Sequence, residues 1–263
     1  MDAIADAKAE ILERAQPSTL LVANADDHRV MARTAGFGGR VTTFGVDNDA
    51  DVRATAVDDR GVEGTGARVR TRRGDIDVTI PLIGRGNLSN VLAAMAVALE
   101  LDVPLDVMPE RLARLSPPPH RGAVLKLASG ATVVDDSYNA NPTATRRALE
   151  VIARTPARRR IAILGEMLEL GDHAIALHED VGRAAQREGV DLLMAVGGAP
   201  AAALARAAVA AGMPPASVRH VATSDDAAAW AAGEIRTGDL VLVKGSRGVK
   251  TDRVVERLAA EHR

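Results

Sequence analysis

Hydrophobic and polar positions follow two different rhythms along this chain. In the first half, Ile4, Ile11 and Leu12 recur at helical spacing among alanines, which predicts a helix over residues 2–14 that Pro17 ends. Residues 19–23 form a short apolar run and predict a buried strand. The polar turn Asn24-Ala25-Asp26-Asp27 can cap a helix over 28–35, which Gly36, Gly38 and Gly39 break, and a further strand is predicted at 41–45. Polar and apolar residues then alternate over 51–57, 67–70 and 75–80, punctuated by Gly61, Gly64, Gly66 and Gly74, as in a meander of half-exposed strands. Leu88, Val91, Leu92, Met95 and Leu99 make one apolar face of a helix over 87–101, and a shorter helix is predicted over 107–115.

After Ser116-Pro117-Pro118-Pro119 the rhythm becomes regular. The prolines stiffen the chain and cannot continue a helix, so the expected boundary lies here, between units of 1–116 and 117–263. Apolar strands are predicted at 131–135, 160–165, 191–196, 218–221 and 239–244. Helices are predicted between and after them at 142–154, 173–188, 199–211, 224–235 and 250–262. This alternation predicts an α/β fold whose second unit is a doubly wound, mostly parallel, Rossmann-like sheet. Ligands of such sheets bind beyond the carboxyl ends of the strands. Here those ends carry Asp135-Asp136-Ser137, Gly165-Glu166, Gly197-Gly198 and Lys244-Gly245-Ser246.

Composition narrows the function classes. A net charge of −2 gives no basic field for nucleic acid or an anionic membrane, and four aromatic residues (Phe37, Phe44, Tyr138, Trp230) cannot build a stacking platform for single strands. There is no cysteine, which excludes disulfides, zinc–thiolate sites and a thiol nucleophile. No apolar run is long enough to span a membrane and the N-terminus has acids where a signal peptide needs bases, so a cytoplasmic protein is expected. Among 33 basic residues only Lys8, Lys126, Lys244 and Lys250 are lysines. In an alanine- and arginine-rich chain, lysine is expected to persist where a compact, deprotonatable amine is needed.

Five strings carry candidate chemistry. Gly84-Arg85-Gly86-Asn87-Leu88-Ser89-Asn90 opens a helix and places two amides one turn apart, suited to an adenine edge; it is equally an ordinary glycine turn with Asn87 or Ser89 as cap. His120-Arg121 follows the prolines, where an arginine can clamp a phosphate or simply sit on the surface. Asp135-Asp136-Ser137-Tyr138-Asn139-Ala140-Asn141-Pro142 joins a strand to a helix. Its carboxylates can accept from ribose hydroxyls, Tyr138 offers a face to a base, and Asn141 can cap the helix that Pro142 begins. Gly165-Glu166-Met167-Leu168-Glu169-Leu170-Gly171, with His178-Glu179 beyond, allows metal or general-base roles or a capped loop. Lys244-Gly245-Ser246-Arg247-Gly248-Val249-Lys250-Thr251 has the cations and backbone of an anion site. No Walker A loop and no complete Gly-x-Gly-x-x-Gly after a strand occurs in the sequence.

Taken in order, these strings resemble the Mur ligase family. Those at 136–142 and 165–171 resemble its branch that adds D-alanyl-D-alanine. The resemblance runs from Ala7-Lys8-Ala9-Glu10-Ile11 onward. It implies a partial Mur ligase central domain over 1–116 followed by the C-terminal Mur ligase domain over 117–263. It also implies ATP-dependent joining of D-alanyl-D-alanine to UDP-MurNAc-tripeptide, through an acyl phosphate, in peptidoglycan precursor synthesis. By resemblance, Lys8 becomes carbamylated and helps hold Mg2+, Asn87 and Asn90 contact adenine, and Arg121 reaches ATP phosphate. Asp136 contacts the ribose with Tyr138 beside it, and Asn139, Asn141, Ser246 and Arg247 line the peptide or dipeptide side. Asn24-Ala25-Asp26-Asp27 matches a family string without an implied role.

The chain departs from the family pattern in lacking the UDP-sugar-binding domain, the Gly-Lys-Thr phosphate loop and the acidic and histidine metal contacts. Gly86 stands where the family usually has histidine. The expectation is a C-terminal ligase part that is inactive alone, either a truncated reading of a longer gene or one half of a split enzyme whose other half is a separate chain. The alternative is a non-catalytic binder of adenine nucleotide or dipeptide. A central sheet interrupted at 19–23 exposes an apolar strand edge, so association, self-association or poor solubility is expected. Size-exclusion chromatography checks this, and a monodisperse monomer contradicts it.

Overall fold

A computed structural model describes residues 2–261, and the chain divides into two compact units, Met1–Leu115 and Ser116–Arg263. The first unit comprises α1 (Asp2–Ala9), β1 (Leu20–Asn24), α2 (His28–Thr34), β2 (Arg40–Gly45), β3 (Val52–Asp59), β4 (Thr65–Thr71), β5 (Gly74–Ile80), α3 (Gly84–Glu100) and α4 (Met108–Leu112). Its sheet runs in order β1-β2-β3-β4-β5. The first three strands are parallel and the last three antiparallel, with a bulge between Ala54 and Ala56. The alternating strands pack one face against α3: Val52, Ala54, Val69, Val78 and Ile80 meet Leu88, Val91, Leu92, Met95 and Leu99. These are the periodicities of two and of 3.6 seen in the sequence.

Two expectations for this unit need correction. The first helix ends at Ala9 and continues only as a single 3-10 turn, Glu10–Leu12, and no residue of either is buried. Ile4 and Ile11 are 59% and 81% exposed, so their helical spacing does not make a core face. Ion pairs hold α1 to α2 instead: Arg29 Nε to Asp2 Oδ1 at 3.1 Å and Arg33 Nη2 to Asp6 Oδ1 at 2.5 Å. The strand expected to be buried at 19–23 is β1, an edge strand paired on one side only, in which Ala23 alone is buried.

The second unit comprises β6 (Ala123–Lys126), β7 (Thr132–Asp136), α5 (Pro142–Arg154), β8 (Arg159–Gly165), α6 (Ala174–Arg187), β9 (Leu192–Val196), α7 (Ala199–Ala210), β10 (Val218–Val221), α8 (Ser224–Glu234), β11 (Asp239–Lys244) and α9 (Asp252–Glu261). Its six strands run in order β10-β9-β8-β11-β7-β6, all parallel except β6, which pairs antiparallel with β7. The sheet is covered on both faces, so β8 and β11 are continuous apolar runs. Ile161, Ile163, Val241 and Val243 pack with α8 and α9. Expected and observed strands agree closely here, but β6 escaped prediction. It is four residues long, three of them half-buried and Lys126 exposed, and no periodicity marks them. The final helix was expected over 250–262. It begins at Asp252, because Lys250 adopts the left-handed conformation (φ 62°), and residue 262 lies outside the described residues.

The amino ends of β8 and β11 are locked by Arg159. Its guanidinium binds Asp239 through Nε (2.9 Å) and Nη2 (2.6 Å), and reaches Glu234 Oε1 (2.8 Å) and the Glu234 carbonyl (2.9 Å). The Asp239 side chain is fully buried. Removing its partner leaves an uncompensated carboxylate, so Arg159→Ala is expected to lower the urea-unfolding stability by about 3 kcal/mol. Arg114→Ala, which breaks the exposed pair with Glu110, is expected to change it immeasurably.

Candidate functional site

The carboxyl edge of the second sheet gathers polar groups that its apolar strands cannot absorb. Asp136 ends β7 and Lys244 ends β11, and the two are register partners. Lys244 is 3% exposed at its side chain. Its Nζ donates to Asp136 Oδ2 at 2.5 Å and to the Asn139 carbonyl at 2.9 Å. Burial pushes the Asp136 carboxyl above the usual carboxylate range. Lys244 and Arg121 pull it back, and Asp135 adds to the rise.

Arg121 reaches this edge from the segment before β6, its guanidinium 4.0 Å from the centroid of the Tyr138 ring. One ring face is thereby covered by a cation, and Tyr138 remains 43% exposed. The preceding residue fixes this approach. His120 has φ 63°, its carbonyl accepts from Tyr138 N–H (3.0 Å), and its Nδ1 lies 2.9 Å from Asp135 Oδ2. Ser137 Oγ donates to the other Asp135 oxygen at 2.6 Å. Asp135, 5% exposed, therefore shapes the loop, while Asp136 faces the site.

The other expected residues of this unit are locally engaged. Asn141 caps α5 by accepting from Ala144 N–H (2.8 Å), and Asn139 Oδ1 accepts from Ala140 N–H (2.8 Å). Ser246 is buried, and its Oγ accepts from Leu168 N–H at 2.9 Å, so it ties the β11 end to the loop after β8. Arg247 is exposed and pairs with Asp252 at 3.2 Å. Gly165 and Gly245 let the ends of β8 and β11 approach: a Cβ on Gly165 would lie 3.0 Å from Gly245 Cα and 2.7 Å from the buried Thr251 Cγ2.

This corrects the reading of Lys244, Arg247 and Lys250 as one cluster for anions. Lys244 and Arg247 already have carboxylate partners; of the three, only Lys250 has none among the described residues. The sequence did mark Lys244 by its rarity and its place at a strand end. It could not show that its target is Asp136, more than a hundred residues earlier.

The Glu166–His178 region is structural. Glu166 Oε2 accepts from Gly198 N–H at 2.8 Å. His178 is fully buried, with Nδ1 at 2.7 Å from the Ala174 carbonyl and Nε2 accepting from Met167 N–H at 2.9 Å, which assigns the proton to Nδ1. Burial pushes this imidazole below its usual value, against weaker opposing effects of the Ala174 carbonyl and Glu166. No group of three or more acidic or histidine side chains placed to hold a metal occurs among the described residues.

In the first unit, Asn87 and Asn90 stand on the first turns of α3. Asn87 Nδ2 donates back to the Ile83 carbonyl at 2.9 Å, while Asn90 is exposed. Asp26 gives the Asn24–Asp27 string a structural role. Its two oxygens accept from the N–H groups of Val46 (2.7 Å), Asp47 (3.0 Å) and Asn48 (2.8 Å). Burial raises its carboxyl, but these donors and Arg85 outweigh that and hold it below the usual range. Asp47 in turn pairs with Arg85 in the first turn of α3, beside the two asparagines. Lys8 is exposed in the last turn of α1.

Residues 1–98 match the family model described as Mur ligase middle domain, and residues 120–247 match that described as Mur ligase, glutamate ligase domain. The UDP-N-acetylmuramoyl-tripeptide–D-alanyl-D-alanine ligase of Mycobacterium tuberculosis is 35% identical over 278 residues, covering 99% of this chain and 54% of that protein. The enzyme of the same name from Escherichia coli is 34% identical over 195 residues, covering 74% and 43%. The chain spans about half the length of these curated relatives. Among solved structures, MurF from Acinetobacter baumannii superposes with a TM-score of 0.84 at 26% identity, covering 98% of this chain and 56% of that one. MurF from Thermotoga maritima, solved in complex with ADP, gives 0.82 at 25% identity, covering 98% and 57%.

Because His178 is held neutral, the native protein binds fewer protons than the unfolded chain between its lowered value and about pH 6.5, so stability rises with pH there. As the pH falls through that lowered value Nε2 becomes a donor facing a donor, so the hydrogen-exchange protection of the Met167 amide is expected to persist below the ordinary imidazole range and to fall only under more acidic conditions. Protection that is already lost on passing about pH 6.5 contradicts the assignment.

Proposed function

We propose, from the premise that the chain belongs to the Mur ligase family, that it carries the adenosine-binding and amine-acceptor side of a peptidoglycan precursor ligase. In the proposed reaction the terminal carboxylate of UDP-MurNAc-tripeptide is activated as an acyl phosphate at the expense of ATP. The amine of D-alanyl-D-alanine then attacks the carbonyl carbon, loses a proton and displaces phosphate. The observation that carries this reading is the carboxyl edge of the second sheet, where Asp136, Arg121 and Tyr138 meet.

Each of these groups has a task that its chemistry suits. Asp136 keeps Oδ1 without a hydrogen-bond donor among the described residues, an acceptor for ribose hydroxyls. The exposed guanidinium of Arg121, braced on Tyr138, can clamp a phosphate oxygen pair. Asn90, exposed on α3, offers the amide that an adenine edge requires. Asn87 can add only its remaining donor and its carbonyl oxygen. Asn139 and Arg247, both exposed, are the members of the proposed dipeptide side that can reach a ligand, with Asn141 and Ser246 fixing the loops behind them.

The residues present do not fit a magnesium site. Lys8 stands exposed with no cluster of carboxylates or imidazoles about it among the described residues, and no step is assigned to the ion. The sequence also contains no Gly-x-x-x-x-Gly-Lys-Ser/Thr loop to hold the transferred phosphoryl group. We therefore propose that these 263 residues bind nucleotide but do not turn over alone, and that the remaining half of the ligase, on the same polypeptide or on a separate chain, adds to the side of the edge strand β1 that is unpaired among the described residues. No helix of the described residues is long and apolar enough to cross a membrane, in keeping with a proposed cytoplasmic place of action.

Calorimetry is expected to show ADP binding by the chain, weakened about tenfold by Arg121→Ala. A phosphate-release assay with ATP, UDP-MurNAc-tripeptide and D-alanyl-D-alanine is expected to show no turnover by the chain alone. Failure to bind ADP overturns the nucleotide site, and robust turnover overturns the division of labour. ADP binding without turnover even after a chain with the phosphate loop is added would favour the second reading, a non-catalytic nucleotide or dipeptide binder, which the missing loop also suits.

A further inference from the structure

Lys244 is a buried lysine whose one ion-pair partner among the described residues sits at the carboxyl edge of the sheet, and this calls for an explanation beyond stability. Lys244 lies among the apolar residues of β11, all of which are buried, and its ammonium surfaces only at Asp136 and the Asn139 carbonyl. A hydrophobic residue in its place would satisfy the core with no desolvation cost. What the ammonium adds is control over one carboxylate. It occupies Oδ2 and leaves Oδ1 outward. Through Asn139 it also fixes the loop that carries Tyr138.

We propose that Lys244 is a positioning residue that holds Asp136 as an ionised, oriented acceptor for a vicinal diol, so that the site distinguishes a ribonucleotide from its dideoxy counterpart. This rests on the nucleotide reading above. The charged groups that face Asp136 are few: Lys244 from β11, Asp135 from its own strand and Arg121 from the segment before β6. Burial and Asp135 both favour the protonated acid, which would turn an acceptor into a donor. Arg121 is exposed and is committed to the Tyr138 face. The charge within hydrogen-bond distance is that of Lys244, at 2.5 Å. Lysine suits the position because its compact ammonium can donate to a carboxylate and a carbonyl that lie in different directions.

The test compares ADP with 2′,3′-dideoxy-ADP by calorimetry on the full chain as wild type, Lys244→Met, Asp136→Asn and the double variant, with circular dichroism to verify folding. Wild type is expected to prefer ADP by about tenfold or more. Lys244→Met is expected to lose most of that preference at neutral pH and regain it in part as the pH rises and Asp136 ionises. In the Asp136→Asn background, Lys244→Met is expected to change the preference no further. A full preference retained in Lys244→Met, or an additional loss in the double variant, overturns the proposal. So does a wild type that binds both nucleotides equally. Should Lys244→Met fail to fold, Lys244→Gln, which can keep a donor toward Asn139 without the charge, gives the same comparison.

Absence of any ADP binding by wild type is the failure of the nucleotide reading, and the ribose assignment falls with it. The link between the two residues is then read without a nucleotide, from the Asp136 carboxyl resonance in a carbon-detected NMR titration. It is expected to titrate at higher pH in Lys244→Met than in wild type. An unchanged titration overturns the coupling.

Discussion

The carboxyl edge of the second sheet depends on one ion pair, in which an ammonium drawn into the core meets a carboxylate at the mouth of the strands. The Lys244–Asp136 pair joins the ends of two neighbouring strands, and its second donor fixes the loop that leads into α5. Much of the carboxyl edge follows from it. Asp135, one residue earlier, turns the opposite way and is consumed by His120 and Ser137. The left-handed backbone at His120 then delivers Arg121 to the Tyr138 ring. Two adjacent acids thus do different work, one building the loop and one facing out, because successive side chains of a strand point to opposite sides.

The two edges of this sheet differ in how completely their charges are paired. At the amino edge Arg159 is bidentate to Asp239 and reaches Glu234, with no exposed donor or acceptor left in the Asp239 carboxylate. At the carboxyl edge the charges are only partly matched, and Asp136 and Tyr138 remain accessible. Between the edges β8 and β11 are apolar on both faces, which makes the sheet rigid enough to hold a mouth of loops in register. Gly165 and Gly245 refine that mouth by letting the strand ends close around Thr251.

The first unit uses a related device on a smaller scale. Asp26 gathers three consecutive N–H groups after β2, and that loop presents Asp47 to Arg85 at the start of α3. The helix bearing Asn87 and Asn90 is therefore anchored by its apolar face to the sheet and by an ion pair at its first turn. The exposed helix α1, by contrast, is tied to α2 by arginine–aspartate pairs and by a bond from Arg33 Nη2 to the Asp2 carbonyl.

By itself the sequence determined the α/β class, nearly every strand and helix of the second unit, and the strings that carry the resemblance. Those features depend on local periodicity and on which residues can cap a turn, as Asn141 and Pro142 do. It did not determine β6, whose pairing comes from β7, nor the exposure of Ile4 and Ile11, whose spacing met no partner surface. Nor could it separate Asp135 from Asp136, or turn Lys244 from an apparent anion ligand into the partner of an acid. Those distinctions are decided by which strands lie side by side. β11 is inserted between β7 and β8, so residues far apart in the chain become register partners, and only that adjacency sets the charge each one meets.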